Sequence, residues 1–381
     1  MPSPRDQRRR VCFVTGTRAE FGLMRSTLAA IRAHPKHELQ LIVTGMHLDR
    51  SRGGSVELIR TGGWTIDRLV RWPAPRSETD NAIRTGQAMA EIARAIADLK
   101  SQIVLVVGDR VEAFAAAAAG HIAGAVVAHV HGGDRALGQV DDSLRHSITK
   151  LAHVHFPATK QSAARVARLG EDRWRIHQAG SPGLDDLTPH PSPLPSRGEG
   201  VRRALIVLHP VDVDETVEFE RARTVLRAVA SIPFDRVAIV YPNTDPGAAG
   251  IVRCWRERAA EGRFDVFPDL PRQQFLGLVR DATVLVGNSS SGIIEAASLG
   301  TPVIDVGTRQ CGRERSQNVT NVPYSEAAIR RELKRIWNDG RPRRFRGRNV
   351  YGGGGAGRKI ADVLARLDLS DPRLRRKLIA Y

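Results

Sequence analysis

Short apolar runs alternate along the first half of the chain with stretches whose apolar residues recur every three or four positions, the pattern of parallel strands joined by helices. The predicted strands are VCFVTG (11–16), LQLIVTG (39–45), IVLVVGD (103–109) and VVAHVHGG (126–133); the predicted helices run from Arg18 to His34, Asn81 to Leu99, Val111 to Ile122 and Ser143 to His153. The IVLVV run is apolar at every position, which places it mid-sheet with both faces covered. The alternation breaks at TPHPSPLPSRGEG (188–200), where four prolines and two glycines without apolar period predict an exposed linker. It then resumes. ALIVLHP (204–210), RVAIVYPN (236–243), FDVFPDL (264–270), TVLVGNSS (283–290) and PVIDVG (302–307) form strands, with helices over Glu218 to Ala230, Ile251 to Glu261, Gln273 to Val279 and Ile293 to Leu299. The expected fold is α/β: two Rossmann-like parallel-sheet domains, 1–186 and 203–350, joined by a Pro-rich insert at 187–202 and facing each other across a ligand cleft at the carboxyl ends of both sheets. The last stretch, 351–381, opens on GGGG (352–355) and leads into an amphipathic helix, Ile360 to Leu367, expected to pack back on the first domain.

Length and charge narrow this picture. At 381 residues the chain exceeds the usual size of a single core, in keeping with two domains. No uninterrupted apolar run reaches the ~18–20 residues of a membrane helix, and VCFVTG after the basic MPSPRDQRRR is too short for a signal peptide, so a cytoplasmic protein without membrane association is expected. Cys12, Cys254 and Cys311 are odd in number and far apart, which suits reduced thiols and neither a disulfide framework nor a zinc cluster. A net charge of +17 raises the question of nucleic acid. Sixteen Lys/Arg against five Asp/Glu from Arg330 onward place most of that excess beyond the strand-end motifs, so no specific nucleic-acid partner is expected. A basic nucleic-acid-binding protein remains the non-enzymatic alternative.

The chemistry-bearing residues follow the strands. VTGTRAEFG (14–22) is a strand, a tight turn and a helix start, whose exposed amides together with Arg18 suit an anion such as a phosphate. It lacks the GxGxxG of nicotinamide sites. VVGDR places Asp109 just past a buried strand, as an acid or base or as the cap of the following helix. HVHGGDRALGQVDDSLRH (129–146) gathers His129, His131, Asp134, Asp141, Asp142, Arg145 and His146 around a glycine turn, a mixture suited to proton transfer beside a charged phosphate. Its spacing is not that of a metal site, and no metal is expected. Asp141 or Asp142 also suits a cap for the helix from Ser143. LHP puts His209 at a strand end of the second domain. In GNSSSGIIEAASLGTPV (287–303) a strand ends, hydroxyls and amides converge as a helix begins, and the expected guest is a diphosphate backed by the helix dipole. Glu295, further along that helix, is placed to accept bonds from ribose hydroxyls.

Together VTGTRAEFG, LIVTGMHLD, VVGDR, HVHGGD, DDSLRHSITKLAHVHF, LHP and GNSSSGIIEAASLGTPV resemble the UDP-N-acetylglucosamine 2-epimerase family, closest to its hydrolysing, NeuC-like branch. The resemblance runs from about Val11 to about Asn321. It implies a GT-B fold with a UDP-sugar in the interdomain cleft, no metal and no nicotinamide or other cofactor, and a homo-oligomer, dimer or tetramer. It implies the reaction as well: UDP leaves C1 as the C2 proton is removed, and the resulting glycal is hydrated with inversion at C2 to an N-acetylmannosamine-type sugar, as in sialic-acid-type sugar synthesis. By resemblance Arg18 serves the phosphates, Asp109 and Asp141 act as acid and base, His209 faces the leaving diphosphate, Ser289 and Ser290 hold phosphate, Glu295 holds the ribose, and Arg145 belongs to the substrate-binding set. A glutamate that the family often carries in this turn is His131 here, and some members of the branch have HIHGGE, which makes Asp134 the other supplier of that carboxylate. GTRQCGR (307–313) resembles a GDRQKGR segment of the same branch, departing from it at Thr308 and Cys311. A non-hydrolysing epimerase or another GT-B glycosyltransferase is the neighbouring alternative. The exact sugar stays open between 2-acetamido glucose and 2,4-diacetamido-trideoxy glucose.

Overall fold

The computed structural model describes residues 8–49, 55–73, 75, 77–135, 141–187, 202–242, 246–259, 264–268 and 270–378. Most of the predicted Pro-rich insert lies outside these residues. The chain divides into two compact units, one made of Met1–Asp186 with Tyr351–Tyr381 and the other of Leu187–Val350.

The first unit runs β1 (Arg9–Thr15), α1 (Arg18–Ala33), β2 (His37–Val43), α2 (Val56–Thr61), β3 (Arg68–Leu69), α3 (Glu78–Asp98), β4 (Ile103–Val107), α4 (Val111–Ile122), β5 (Val126–Val130), α5 (Asp141–Leu151), β6 (Val154–Phe156) and α6 (Lys160–Arg168). Its six strands form a parallel sheet in the order β3-β2-β1-β4-β5-β6. β4 is central, and its uniformly apolar run serves both faces. Ile103, Leu105 and Val107 pack with Met24, Leu28 and Ile31 of α1, while Val104 and Val106 pack with Ile92 and Ile96 of α3 and the alanines of α4.

The second unit repeats the plan with β7 (Arg203–Val207), α7 (Glu215–Ala230), β8 (Arg236–Val240), α8 (Ala248–Ala259), β9 (Phe264–Phe267), α9 (Arg272–Asp281), β10 (Val284–Gly287), α10 (Ser290–Ile294), β11 (Val303–Val306), β12 (Val319–Val322) and α11 (Glu326–Trp337). The strand order β12-β11-β10-β7-β8-β9 is that of the first sheet. The chain then returns to the first unit with α12 (Ala356–Arg366) and α13 (Pro372–Arg375). Ile360 and Leu364 of α12 join the same core as α1. Gly357 permits the approach, since a Cβ there would stand 2.7 Å from the Thr27 amide nitrogen.

Several sequence expectations shift. β5 ends at Val130, before the HGG turn, and α5 begins two residues earlier than Ser143. α10 spans five residues and Glu295 is its C-cap, so the expected longer helix from Ile293 is absent from that position. α2, β3, β6, α6, β12, α11 and α13 were not predicted. β6 and β12 are short edge strands of three and four residues, too brief to show a period.

Candidate active site

In a doubly wound sheet the ligand crevice opens where the strand order reverses, between β1 and β4 in the first unit and between β7 and β10 in the second. The candidate residues stand at the carboxyl ends of these strands and of β5.

In the first unit the turn after β1 is filled from within. Thr17 caps α1, its Oγ1 accepting the Glu20 N–H at 3.2 Å, and Glu20 Oε2 in return accepts the N–H groups of Gly16 and Thr17 at 2.9 and 3.0 Å. The exposed, anion-ready amides expected here are therefore occupied by the chain's own carboxylate. Arg18, the first residue of α1, is exposed. Glu112 lies against the turn from the β4 side, and a Cβ on Gly16 would stand 2.7 Å from Glu112 Cγ. Burial, reinforced by the charge of Glu112, pushes the Glu20 carboxyl up to about 7.

Asp109 does not cap α4. The cap position is Arg110, whose side chain makes no capping bond, and Asp109 instead pairs with Arg145 of α5. The Arg145 side chain is 2% exposed. Its Nη1 also donates to the Asp134 carbonyl at 2.7 Å and lies 3.3 Å from Asp142 Oδ1, so one guanidinium ties the end of β4 to the turn after β5. Asp141 is the first residue of the same helix.

The turn after β5 holds His131 in the left-handed region, with φ at 63°. Its Nδ1 donates to Asp134 Oδ2 at 2.9 Å, its Nε2 lies 3.1 Å from Ser181 Oγ, and Asp134 Oδ1 accepts the Ser162 hydroxyl at 2.7 Å. His131 and Asp134, weighed as alternatives from the sequence, are one buried hydrogen-bonded pair. Gly133 lets this turn press onto α6, because at its φ of 77° a Cβ would come within 2.3 Å of the Ser162 carbonyl oxygen. His129 donates from Nε2 to the Gly108 carbonyl at 2.8 Å, and burial lowers its pKa to about 3, which keeps it neutral.

In the second unit Asn288 organises the switch point. Its side chain brackets the backbone of His209: Oδ1 accepts the His209 N–H at 2.7 Å and Nδ2 donates to the His209 carbonyl at 2.8 Å. Nδ2 also lies 3.2 Å from Tyr324 Oη, while the Asn288 carbonyl accepts from Arg309 and Gln310. Gly287 makes the approach of β10 to β7 possible, since a Cβ there would be 2.0 Å from the Val207 carbonyl oxygen. Ser289, buried, caps α10 through Oγ and the Ser291 N–H at 3.3 Å, and Ser290 follows half-buried. With α10 only five residues long, the expected dipole behind this turn is that of little more than one helical turn. Glu295 is buried and pairs with Arg272 Nη2 at 3.1 Å.

The family model described as UDP-N-acetylglucosamine 2-epimerase matches residues 29–365. The chain belongs to this family. A UDP-N-acetylglucosamine 2-epimerase of Neisseria meningitidis is 34% identical over 84% of this chain and 85% of its own length. A UDP-N,N'-diacetylbacillosamine 2-epimerase (hydrolyzing) of Legionella pneumophila is 33% identical over 95% of this chain and 97% of its own. Among solved structures, the UDP-GlcNAc 2-epimerase from Neisseria meningitidis bound to UDP-GlcNAc superposes with a TM-score of 0.80 at 18% identity, covering 94% of this chain and 100% of that one. The fold is the GT-B-like fold of these epimerases, with two six-stranded parallel sheets. The 2-epimerase family thus agrees with the motifs, and the chain is an enzyme of it.

Sequence reasoning missed Glu20, Glu112, Ser181 and Asn288 as parts of these turns. Thr17 and Glu20 carry the capping-box spacing, and Asn288 lies inside a motif already singled out, so both were within reach. Ser181 stands about fifty positions from His131 and carries no local signal. Among the described residues no group of His, Cys, Asp or Glu is arranged to hold a metal ion, and no helix is long and apolar enough to cross a membrane.

Proposed function

We propose that this chain is a hydrolysing 2-epimerase that converts a UDP-N-acetylglucosamine-type sugar and water into UDP and a free N-acetylmannosamine-type sugar. The observation that carries the reading is the joining of Asp109, Arg145, Asp134 and His131 at the ends of two neighbouring strands, β4 and β5. The C2 proton beside an acetamido carbon is weakly acidic, and its removal needs a positioned base together with stabilisation of the departing diphosphate. Asp109, held by the Arg145 guanidinium, is a carboxylate of fixed orientation for one face of the sugar. His131, with Nδ1 committed to Asp134, and Asp141 at the start of α5 supply the second proton donor or acceptor. In the second unit Ser289 and Ser290 hold the diphosphate, His209 faces it as it leaves, Glu295 takes the ribose hydroxyls, and Arg18 of the first unit adds positive charge to the phosphates.

The electron count closes without a cofactor. The base takes the C2 proton, the C1–O bond breaks toward UDP to give a glycal, and water adds at C1 as C2 is reprotonated from the opposite face. The near full-length likeness to a relative named as hydrolysing supports this branch. Incubation with UDP-N-acetylglucosamine and with a UDP-2,4-diacetamido-trideoxy sugar, followed by identification of the products, tests it. Free sugar plus UDP is expected from one of the two. A UDP-linked epimer with no free sugar would assign the chain to the non-hydrolysing type.

A further inference from the structure

Much of the net positive charge lies in the last fifty residues, and one of these cations is buried. Lys377 lies just past α13, and its side chain is 5% exposed. Its ammonium donates to the carbonyls of Thr149, Lys150 and Ala152 at 3.0, 2.8 and 2.8 Å and lies 2.6 Å from Glu171 Oε2. Four oxygens thus surround three N–H donors. Three of them come from the last turn of α5 and the residue after it, where the last carbonyls lack intrahelical partners and the helix dipole favours a cation. The segment before Lys377 is also anchored, by burial of Leu374 and by Arg175, whose Nη1 donates to the Leu374 carbonyl at 3.0 Å.

The same group supports β6. Glu171, itself fully buried, accepts from His155 Nε2 of β6 at 3.0 Å, and the carbonyl of the next residue, Phe156, accepts the His131 N–H at 3.1 Å. Burial works against the Glu171 charge, yet the bonds from His155 and Lys377 hold its pKa below the usual carboxylate value. Lys377 therefore bonds one support of the candidate site directly, the helix that carries Asp141, Asp142 and Arg145, and reaches the other, the strand that fixes the His131 backbone, through Glu171.

We propose that Lys377 is a positioning residue for the first unit's proton-transfer cluster, the C-terminal tail acting as a staple that fixes α5 and, through Arg145, the carboxylate of Asp109. This rests on the reading that the cluster carries the C2 proton chemistry. The groups facing the ammonium are Glu171, Lys150 of α5, His155 of β6 and Arg175, with His153 between α5 and β6. Burial, only partly offset by Glu171, brings the Lys377 pKa down to about 8, so the staple loses its charge in the mildly alkaline range.

The test is Lys377→Met, which keeps most of the stem and removes the charge, assayed on the UDP-sugar that gives turnover. At pH 7 kcat falls about tenfold, the scale of a small displacement of reacting groups. The Kd for UDP stays within about twofold, because the serine turn proposed to hold the diphosphate lies in the other unit and Arg18 stands on α1, away from the contacts of Lys377. The wild-type to variant ratio of kcat then narrows toward one above about pH 9, as the wild-type lysine loses its proton. A kcat within twofold of wild type at pH 7, a ratio constant with pH, or a parallel loss of UDP affinity would overturn the proposal. If Lys377→Met does not fold, Glu171→Gln decides: without its counter-charge the lysine titrates lower, and the alkaline limb of kcat moves down by about one pH unit. An unmoved limb overturns the staple. Asp109→Asn, run alongside, separates the two claims: if it retains full turnover, the underlying reading of the cluster fails, whereas a dead Asp109→Asn with an unaffected Lys377→Met removes the staple alone.

Discussion

Glu20 and Glu218 do the same work in the two units. Glu20 closes the turn after β1, and Glu218 Oε1 accepts the N–H groups of Val211 and Asp212 at 2.9 and 2.8 Å, closing the turn after β7. In a Rossmann turn that binds a dinucleotide such amides face the phosphates. Here they are satisfied within the chain, so these backbone amides are not open to a phosphate. Glu20 pays for this position in desolvation, and the consequence is a pH dependence of stability. Its folded pKa of about 7 lies above the ordinary 4.5, so its contribution is fully present below about pH 4.5 and is lost as pH rises toward 7. Glu20→Gln is expected to flatten that decline, measured as urea unfolding free energy against pH. A variant curve parallel to wild type between pH 4.5 and 7 would show that Glu20 is ionised throughout. At this scale the sequence was partly legible. Asp109, His131, Asp134 and Arg145 were singled out by type and place, but spacing alone does not reveal that one buried arginine joins Asp109 to Asp134, or that His131 and Asp134 are partners.

The elements place these side chains by a rule that the apolar pattern already implied. Alternating strands and helices predict parallel sheets, and parallel sheets have a point where the order reverses. Both reversal points are spanned by a side chain from the later strand's turn: Glu112 packs on Gly16, and Asn288 brackets His209. β4, the strand predicted as mid-sheet, is apolar at every position, hence visible. β6 and β12 were missed because edge strands of three or four residues bury too little to impose a period, and α11 because its buried stripe is narrow, with Ala328, Ile329 and Leu333 inside. α10 was overestimated, since GIIEAASL has helical spacing but the chain leaves the helix after Ile294 to bury Glu295 against Arg272. With so short a helix, the diphosphate binding proposed for this turn would rest on its hydroxyls. Ser289→Ala with Ser290→Ala is therefore expected to weaken UDP binding at least tenfold by calorimetry, the scale of two charge-assisted hydrogen bonds, and to lower stability by about 1 kcal/mol through the lost Ser289 cap. Unchanged UDP affinity would remove the diphosphate from this turn.

Across the whole molecule, the net charge of +17 was the feature most open to misreading. Part of it is internal wiring. Arg344 donates to the carbonyls of Arg280, Ala282 and Leu299, Arg175 to those of His153 and Leu374, and Lys377 to the end of α5. Such cations tie loops and helix ends to one another, and composition does not distinguish them from a surface patch for a polyanion. Nor does composition show that the first unit is completed by residues from 351 onward, although the amphipathic stretch from Ile360 pointed that way.

The central claim, that C1–O cleavage by elimination is driven from a carboxylate and imidazole cluster, is tested most directly by running the reaction in ¹⁸O-enriched D₂O. The expected products are UDP whose β-phosphate carries no solvent oxygen and a free sugar with deuterium at C2. Asp109→Asn is expected to lower UDP release and deuterium uptake together, by roughly 10²–10⁴-fold, the usual contribution of a positioned acid or base. Solvent ¹⁸O on the β-phosphate with protium retained at C2 would contradict the central claim, because the bond broken would then be P–O and the cluster would have no proton to move.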